Sequence, residues 1–340
     1  MGGSDIGLVA RARGVATHLL ARQTLETLAG ADDLESFTDQ ISRLHAPISP
    51  ITEPGNVFAV ERAVRDTAAR HLATLRRWQR RVPNALDVFA AYQDRRSLRA
   101  LLRGAAAGAP TERRLASLLP TPSLPHDALM ELGRCGAPLD VVRRLVELGY
   151  EGATRLLETV SRAPTDLLTV EIVLLHAFAE RAVSIAARGD YVLRGFVESV
   201  IDVANAQHAL LLAGEPRELR AAGLFVRGGR WLPAPAFVSI AASASAEAAI
   251  AALAASVGRS PLLSWLPVVA GDLPHLDRAF LVGSLARLTG AMRLDPLSSA
   301  AVLRVLLLIE AQGRDLRTLA WGARLGAPAG LRRQQLVTPA

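Results

Sequence analysis

The sequence predicts an all-α protein built from three pseudo-symmetric helical-bundle repeats, each of about 110 residues, that close into a ring. Three observations predict it. Apolar residues recur at helical spacing along almost the whole chain. Pro and Gly cut that pattern into helix-sized segments. A block of Leu, Arg, Gly and Pro returns later in the chain in the same order and spacing.

Composition favours helix. Ala, Leu and Arg are all strong helix formers. Half of the 340 residues are hydrophobic but only 4% are aromatic, so Leu, Ala, Val and Ile must build the core. Leu139, Val142, Leu145, Val146 and Leu148 fall mostly on one helical face, and Leu303, Leu306, Leu307 and Leu316 belong to another helix. Breakers follow at Pro83, Pro120 to Pro125, Pro164, Gly228 to Pro235, Pro261 to Pro274, Pro296 and Pro328. No alternating strand series appears.

The repeat is most explicit between Ser97–Pro110 and Asp315–Pro328. Leu98, Arg99, Leu101, Gly104, Ala105, Gly108, Ala109 and Pro110 all match, eight of 14 positions. Paired Gly and Pro at fixed spacing are less easily accidental than matched alanines. A middle copy lies about halfway between them: Asp202-x-x-Asn205 answers Asp94-x-x-Ser97, and Phe225–Leu232 parallels Leu118–Leu124. Glu61, Glu171 and Asp277 keep nearly the same step. The copies fall at 55–165, 166–270, and 271–340 completed by 1–54. Residues 34–41 resemble 139–146, so the N-terminal helices are expected to complete the third copy within a single domain, 1–340.

Charge and composition exclude several chemistries. All 39 basic residues are arginine against 32 acids, a formal charge of +7. Without lysine there is no Schiff base and no phosphate-loop lysine. The single cysteine, Cys135, rules out an internal disulfide and any multi-cysteine metal site. The seven histidines show no His-x-x-x-His spacing, and no Gly-x-Ser-x-Gly or Gly-x-Gly-x-x-Gly occurs. No enzyme and no cofactor is expected. Arg76, Arg77, Arg80 and Arg81 around Trp78, then Arg95, Arg96, Arg99 and Arg103, read as a solvated face or as phosphate contacts. No zinc-finger spacing or aromatic RNP strand accompanies them, and no specific nucleic acid is expected. No segment is long and apolar enough to span a bilayer, and no signal-peptide core precedes the first helix. A cytoplasmic protein, peripheral on the membrane, is expected.

Ordered short motifs add a resemblance. Ala10-Arg-Ala-Arg13 with Leu19-Leu20, Asp202-Val-Ala-Asn205, Leu224 to Leu232, Asp295-Pro-Leu-Ser298, the helix to Glu310, Leu316-Arg317 and Leu336-Val337 follow one another as they do in the central-stalk subunit of V-type and A-type rotary ATPases. That subunit is called d in vacuolar enzymes and C in archaeal-type ones. The chain resembles this family over essentially its whole length. Ser97 stands for an Asn, Leu212 for an Arg and Gln312 for a Glu, and the usual N-terminal tyrosines are missing, which marks a divergent member. The resemblance implies a funnel-like ring that performs no chemistry. It implies rotor shaft subunits at the open end, the membrane rotor ring at the closed end, and torque passed between them for proton or sodium transport. An arginine-rich scaffold for nucleic acid or anionic membrane is the alternative.

Candidate sites follow from the repeat. Glu198, Asp202, Asn205 and His208 share a helical face that is either a solvated stripe or the lining of a cavity for the shaft. Glu310, Arg314 and Arg317 continue such a face in the third copy, with Glu310 and Arg314 spaced for a local ion pair. Glu61, Glu171 and Asp277, with Arg99, are candidate polar contacts between copies. Leu124, Trp231, Leu232, Trp265 and Leu266 lie in Pro-rich turns and are candidate ring-facing residues, if they do not tuck into the bundle.

Overall fold

The computed structural model describes residues 6–44, 48–79, 84–116, 118–163, 166–214, 221–257, 260, 266 and 273–339. Among them every regular element is helical. In chain order these are α1 (Ile6–Ala16), α2 (Arg22–Leu28), α3 (Leu34–Arg43), α4 (Val57–Arg76), α5 (Ala85–Ala106), α6 (Thr111–Leu115), α7 (His126–Arg134), α8 (Pro138–Glu147), α9 (Ala153–Arg162), α10 (Leu167–Ala186) and α11 (Tyr191–Leu212). A 3-10 turn (Ala221–Leu224), α12 (Ala234–Ala241), α13 (Ala246–Val257), α14 (Leu273–Leu294), α15 (Ser299–Arg324) and α16 (Ala329–Gln334) follow. None of the described helices is long and apolar enough to cross a membrane.

The helices start where local chemistry directs them. Asn84 and Asp87 form a reciprocal capping box on α5. Asp33, Asn56, Asp166 and Asp190 each accept a backbone N–H in the first turn of α3, α4, α10 and α11. Pro110, Pro125, Pro233 and Pro328 stand immediately before α6, α7, α12 and α16.

These starts recur at a nearly constant step. Helices α4, α10 and α14 begin at Val57, Leu167 and Leu273, and α5, α11 and α15 at Ala85, Tyr191 and Ser299. The short elements at Thr111, Ala221 and Ala329 keep the same step. Helices α7 and α8, from His126 and Pro138, have counterparts one step later in α12 and α13, from Ala234 and Ala246. One step earlier stand α2 and α3, from Arg22 and Leu34.

The matching Gly residues have two separate duties. Gly108 (φ +63°) and Gly326 (φ +67°) close α5 and α15 in left-handed turns, with the N–H of Ala109 and Ala327 returning to the carbonyls of Gly104 and Gly322. Gly104 and Gly322 in turn leave room for an arginine stem from the next short helix. A Cβ at Gly104 would stand 2.5 Å from Cγ of Arg114, and one at Gly322 would stand 2.7 Å from Cδ of Arg332.

Long helices form the centre. Helix α10 packs on α5 and α11, α4 and α14 pack on α15, and α15 also touches α5 and α11. Tyr92, Phe196 and Phe280 bring α5, α11 and α14 together, with Tyr92 and Phe196 centroids 5.8 Å apart in an edge-on arrangement. The chain ends meet. Leu25, Leu28, Phe37 and Ile41 share a core with Leu316, Leu319 and Leu336. The Arg22 guanidinium donates to the carbonyls of Thr338 (3.0 Å) and Arg333 (3.2 Å).

Candidate functional site

The candidate site is an arginine-lined cavity beside α5. Arg95, Arg99 and Arg103 fall at successive i, i+4 positions, with Arg96 next to them, so one helical stripe carries four guanidiniums. Three of them find carboxylates on three other helices. Arg99 Nε lies 3.0 Å from Glu171 on α10, and its NH1 lies 3.9 Å from Asp277 on α14. Arg103 shares Glu171. Arg96 pairs with Glu310 on α15, which also accepts from Gln93 at 2.9 Å. Three of the four candidate contacts between copies, Arg99, Glu171 and Asp277, therefore meet at one guanidinium. The fourth, Glu61 on α4, lies elsewhere and accepts the indole N–H of Trp321 on α15 at 2.8 Å.

A cavity of about 260 Å³ opens between Gln93, Arg96, Arg99, Arg103, Leu118 and Asp277. A smaller hollow beside it is lined by Tyr92, Arg95, Arg99, Gln207 and Phe280 among others. Cations outnumber anions here. Arg95, Arg314 and Arg317 have no carboxylate within ion-pair distance among the described residues. Arg95 is 9% exposed, and burial followed by the neighbouring Arg99 charge pulls its guanidinium down to about 10. Burial likewise brings Arg317 down to about 10, against the opposing pull of Glu61. Asp277 stays half exposed. Burial would raise its carboxyl, but Arg96, Arg99, Arg95 and Arg314 outweigh that and hold it below the usual carboxylate range. A buried cation without a partner is costly, so Arg95 in the smaller hollow, with Arg314 and Arg317 near Asp277 and Arg96, suits this region to receiving an anionic group from outside. Among the described residues no group of acidic, His and Cys side chains could hold a metal ion.

The family model for the ATP synthase (C/AC39) subunit matches residues 8–334. The chain belongs to the ATP synthase (C/AC39) subunit family. It is an accessory, stalk-type subunit of a V/A-type ATPase and carries no catalytic site of its own. No curated protein matches the chain.

Several side chains expected at the docking face of this C/AC39-family subunit have another use. Asp202 is fully buried and accepts the backbone N–H groups of Arg230 (2.9 Å), Trp231 (2.9 Å) and Leu232 (3.2 Å). Asn205, also buried, exchanges two hydrogen bonds with the backbone of Val226. The pair pins the loop before α12 and lines no open cavity. Asp315, the counterpart of Asn205 on α15, does the same, accepting the N–H groups of Val337 and Thr338. Asp94 accepts from Thr121 in the first copy. His208, on α11, is fully buried, and neither ring nitrogen has a hydrogen-bond partner. Burial, then Arg95, Arg99 and Arg103, hold its imidazole neutral, well below the ordinary histidine range. Glu198 alone of that stripe remains partly exposed.

Two further corrections concern local expectations. Glu310 turns to Arg96 and Gln93 across the helix interface and makes no pair with Arg314, because the tertiary partners lie closer than the next turn. Leu124, Leu232 and Leu266 are at most 2% exposed, so they belong to the core and cannot face a ring. The pinned loops draw Leu124 and Leu232 inward. Trp231 is partly buried against the core that holds Leu232 and Leu266, and Trp265 lies outside the described residues. In the sequence Arg95, Arg96 and Arg103 read only as a solvated face or as phosphate contacts, not as the lining of a cavity. Their helical spacing was visible, but a solvated face shows the same spacing.

Proposed function

We propose that this subunit is the central-stalk coupling element of a V/A-type rotary ATPase. It links the rotating shaft to the membrane ion-carrying ring and passes torque between them for proton or sodium transport. In this reading it sits peripherally on the cytoplasmic face of the membrane. The three copies, 55–165, 166–270 and 271–340 with 1–54, close into a funnel-like ring. The recurring helix starts and the contacts between α2, α3 and the C-terminal segment support that closure.

The observation that carries the docking assignment is the excess of guanidiniums around the cavity and the hollow beside it. Arg95, Arg314 and Arg317 lack carboxylates of their own, and a shaft surface bearing acidic side chains would supply them. The test is purification of the tagged chain from its own cells. Shaft and ring subunits should accompany it, and Arg314→Glu combined with Arg317→Glu should lose the shaft while the chain stays folded. Recovery of nucleic acid with a steep salt dependence, and of no ATPase subunit, would contradict the assignment.

A further inference from the structure

Three helix-to-helix turns far apart in sequence gather at one end of the bundle. Asp190, at the α10–α11 turn, accepts the backbone N–H of Ser299 at 2.6 Å, which ties it to the α14–α15 turn. Helix α1 connects that turn to the α4–α5 turn. Its Arg13 donates to the carbonyl of Pro296 at 2.8 Å, and its Arg11 lies 4.6 Å over the ring of Trp78.

This end exposes large apolar side chains. Leu294 is 85% exposed, Tyr191 57%, Trp78 49% and Leu297 44%. Around them stand the exposed Arg11, Arg13, Arg77, Arg188, Arg194 and Arg293. None of the six has a carboxylate partner among the described residues. The acids of these turns are already engaged: Asp87 accepts from Asn84, Asp190 from Leu193 and Ser299, and Asp295 from Leu297.

We propose that this end of the bundle is a contact surface for an anionic lipid bilayer. Separate aromatic and aliphatic tips, carried on different turns and ringed by arginines without carboxylate partners, suit insertion at the headgroup level. The tips enter the apolar boundary while the guanidiniums reach lipid phosphates, and their long stems keep the charge in the polar layer. A groove for a protein segment would be concave and continuous, whereas these tips project from separate turns. The surface shares no residue with the arginine-lined cavity, so its assignment does not depend on what occupies that cavity.

The experiment is sedimentation of the full chain with vesicles of phosphatidylcholine alone and with vesicles in which phosphatidylglycerol replaces a third of the lipid. The chain should sediment with the anionic vesicles only, and added salt should release it. Arg188→Glu and Arg293→Glu should each weaken binding about fivefold or more. Leu294→Ser, which leaves every charge in place, should weaken it about tenfold. All three sites are exposed, and an unchanged circular dichroism spectrum establishes the fold of each variant. Equal partition onto both vesicles, or variants that bind like the parent, would overturn the proposal. So would indifference to vesicles combined with retention by a detergent-purified rotor ring, which would give this end to the ring.

Discussion

The side-chain oxygen of Gln312 accepts the buried backbone N–H of Leu20 at 2.6 Å, across 292 residues of chain. Gln312-x-x-Asp315 is the counterpart on α15 of Asp202-x-x-Asn205 on α11 and of Asp94-x-x-Ser97 on α5. Asp94 holds Thr121 before α7, Asp202 holds 230–232 before α12, and Gln312 holds Leu20 before α2. The same duty falls on residues in equivalent positions, and in the last case the loop comes from the other end of the chain. Replacing Gln312 with Leu would leave the Leu20 N–H buried and unpaired, at a cost of about 1–3 kcal/mol. Hydrogen exchange in 20–28 should accelerate in Gln312→Leu and remain slow in Gln312→Glu, which keeps the acceptor.

Asp202 is expected to govern stability and not partner affinity. Asp202→Ala orphans three backbone donors and should destabilise the fold by at least about 2 kcal/mol. Gly229→Ala should do similar damage by another route, because a Cβ there would stand 2.7 Å from the Asp202 carboxylate carbon. Thermal denaturation measures both. The folded fraction of each variant should still bind the shaft with parental affinity.

Acid should weaken the fold through His208. The unfolded chain takes up a proton there near pH 6.5, while the folded protein keeps the ring neutral until well below that value. Stability from this group is therefore complete above about pH 6.5. It falls as pH drops, by up to about 1.4 kcal/mol per pH unit. His208→Leu removes that dependence and two buried nitrogens without partners. Denaturant midpoints between neutral and mildly acidic pH should fall less steeply in the variant than in the parent.

Arg95 sets stability against binding. Its charge is disfavoured by burial and by Arg99, so Arg95→Met should leave the isolated subunit as stable as the parent or up to about 2 kcal/mol more stable. The same variant should bind the shaft more weakly, because a cation meant for the partner is gone. Calorimetry of the free protein and titration with the shaft subunit separate the two effects.

The all-helical class and the repeat were legible because they rest on local chemistry. The Gly104, Gly108 and Pro110 pattern and its counterpart at Gly322, Gly326 and Pro328 reflect a left-handed turn and an arginine laid over a bare Cα, and both requirements leave a mark in one copy at a time. Asp202 and Asn205 were recognisable as a motif but not in their role. A carboxylate that binds a distant loop has the same helical spacing as one that faces water. The i, i+4 rule suggested Glu310 with Arg314 because it knows nothing of α5, which supplies Arg96 and Gln93 instead. Trp78, Tyr191 and Leu294 gave no sequence signal as a group, since only the packing of three turns and α1 brings them to one end.

The docking assignment is tested most directly by a photo-crosslinking residue placed at Asp277, half exposed in the arginine-lined cavity, with Glu158, exposed on α9 and outside the cavity lining, as the control position. Irradiation of the assembled complex should join the shaft subunit to position 277 and not to position 158. Capture of the shaft from 158 with none from 277 would contradict the account.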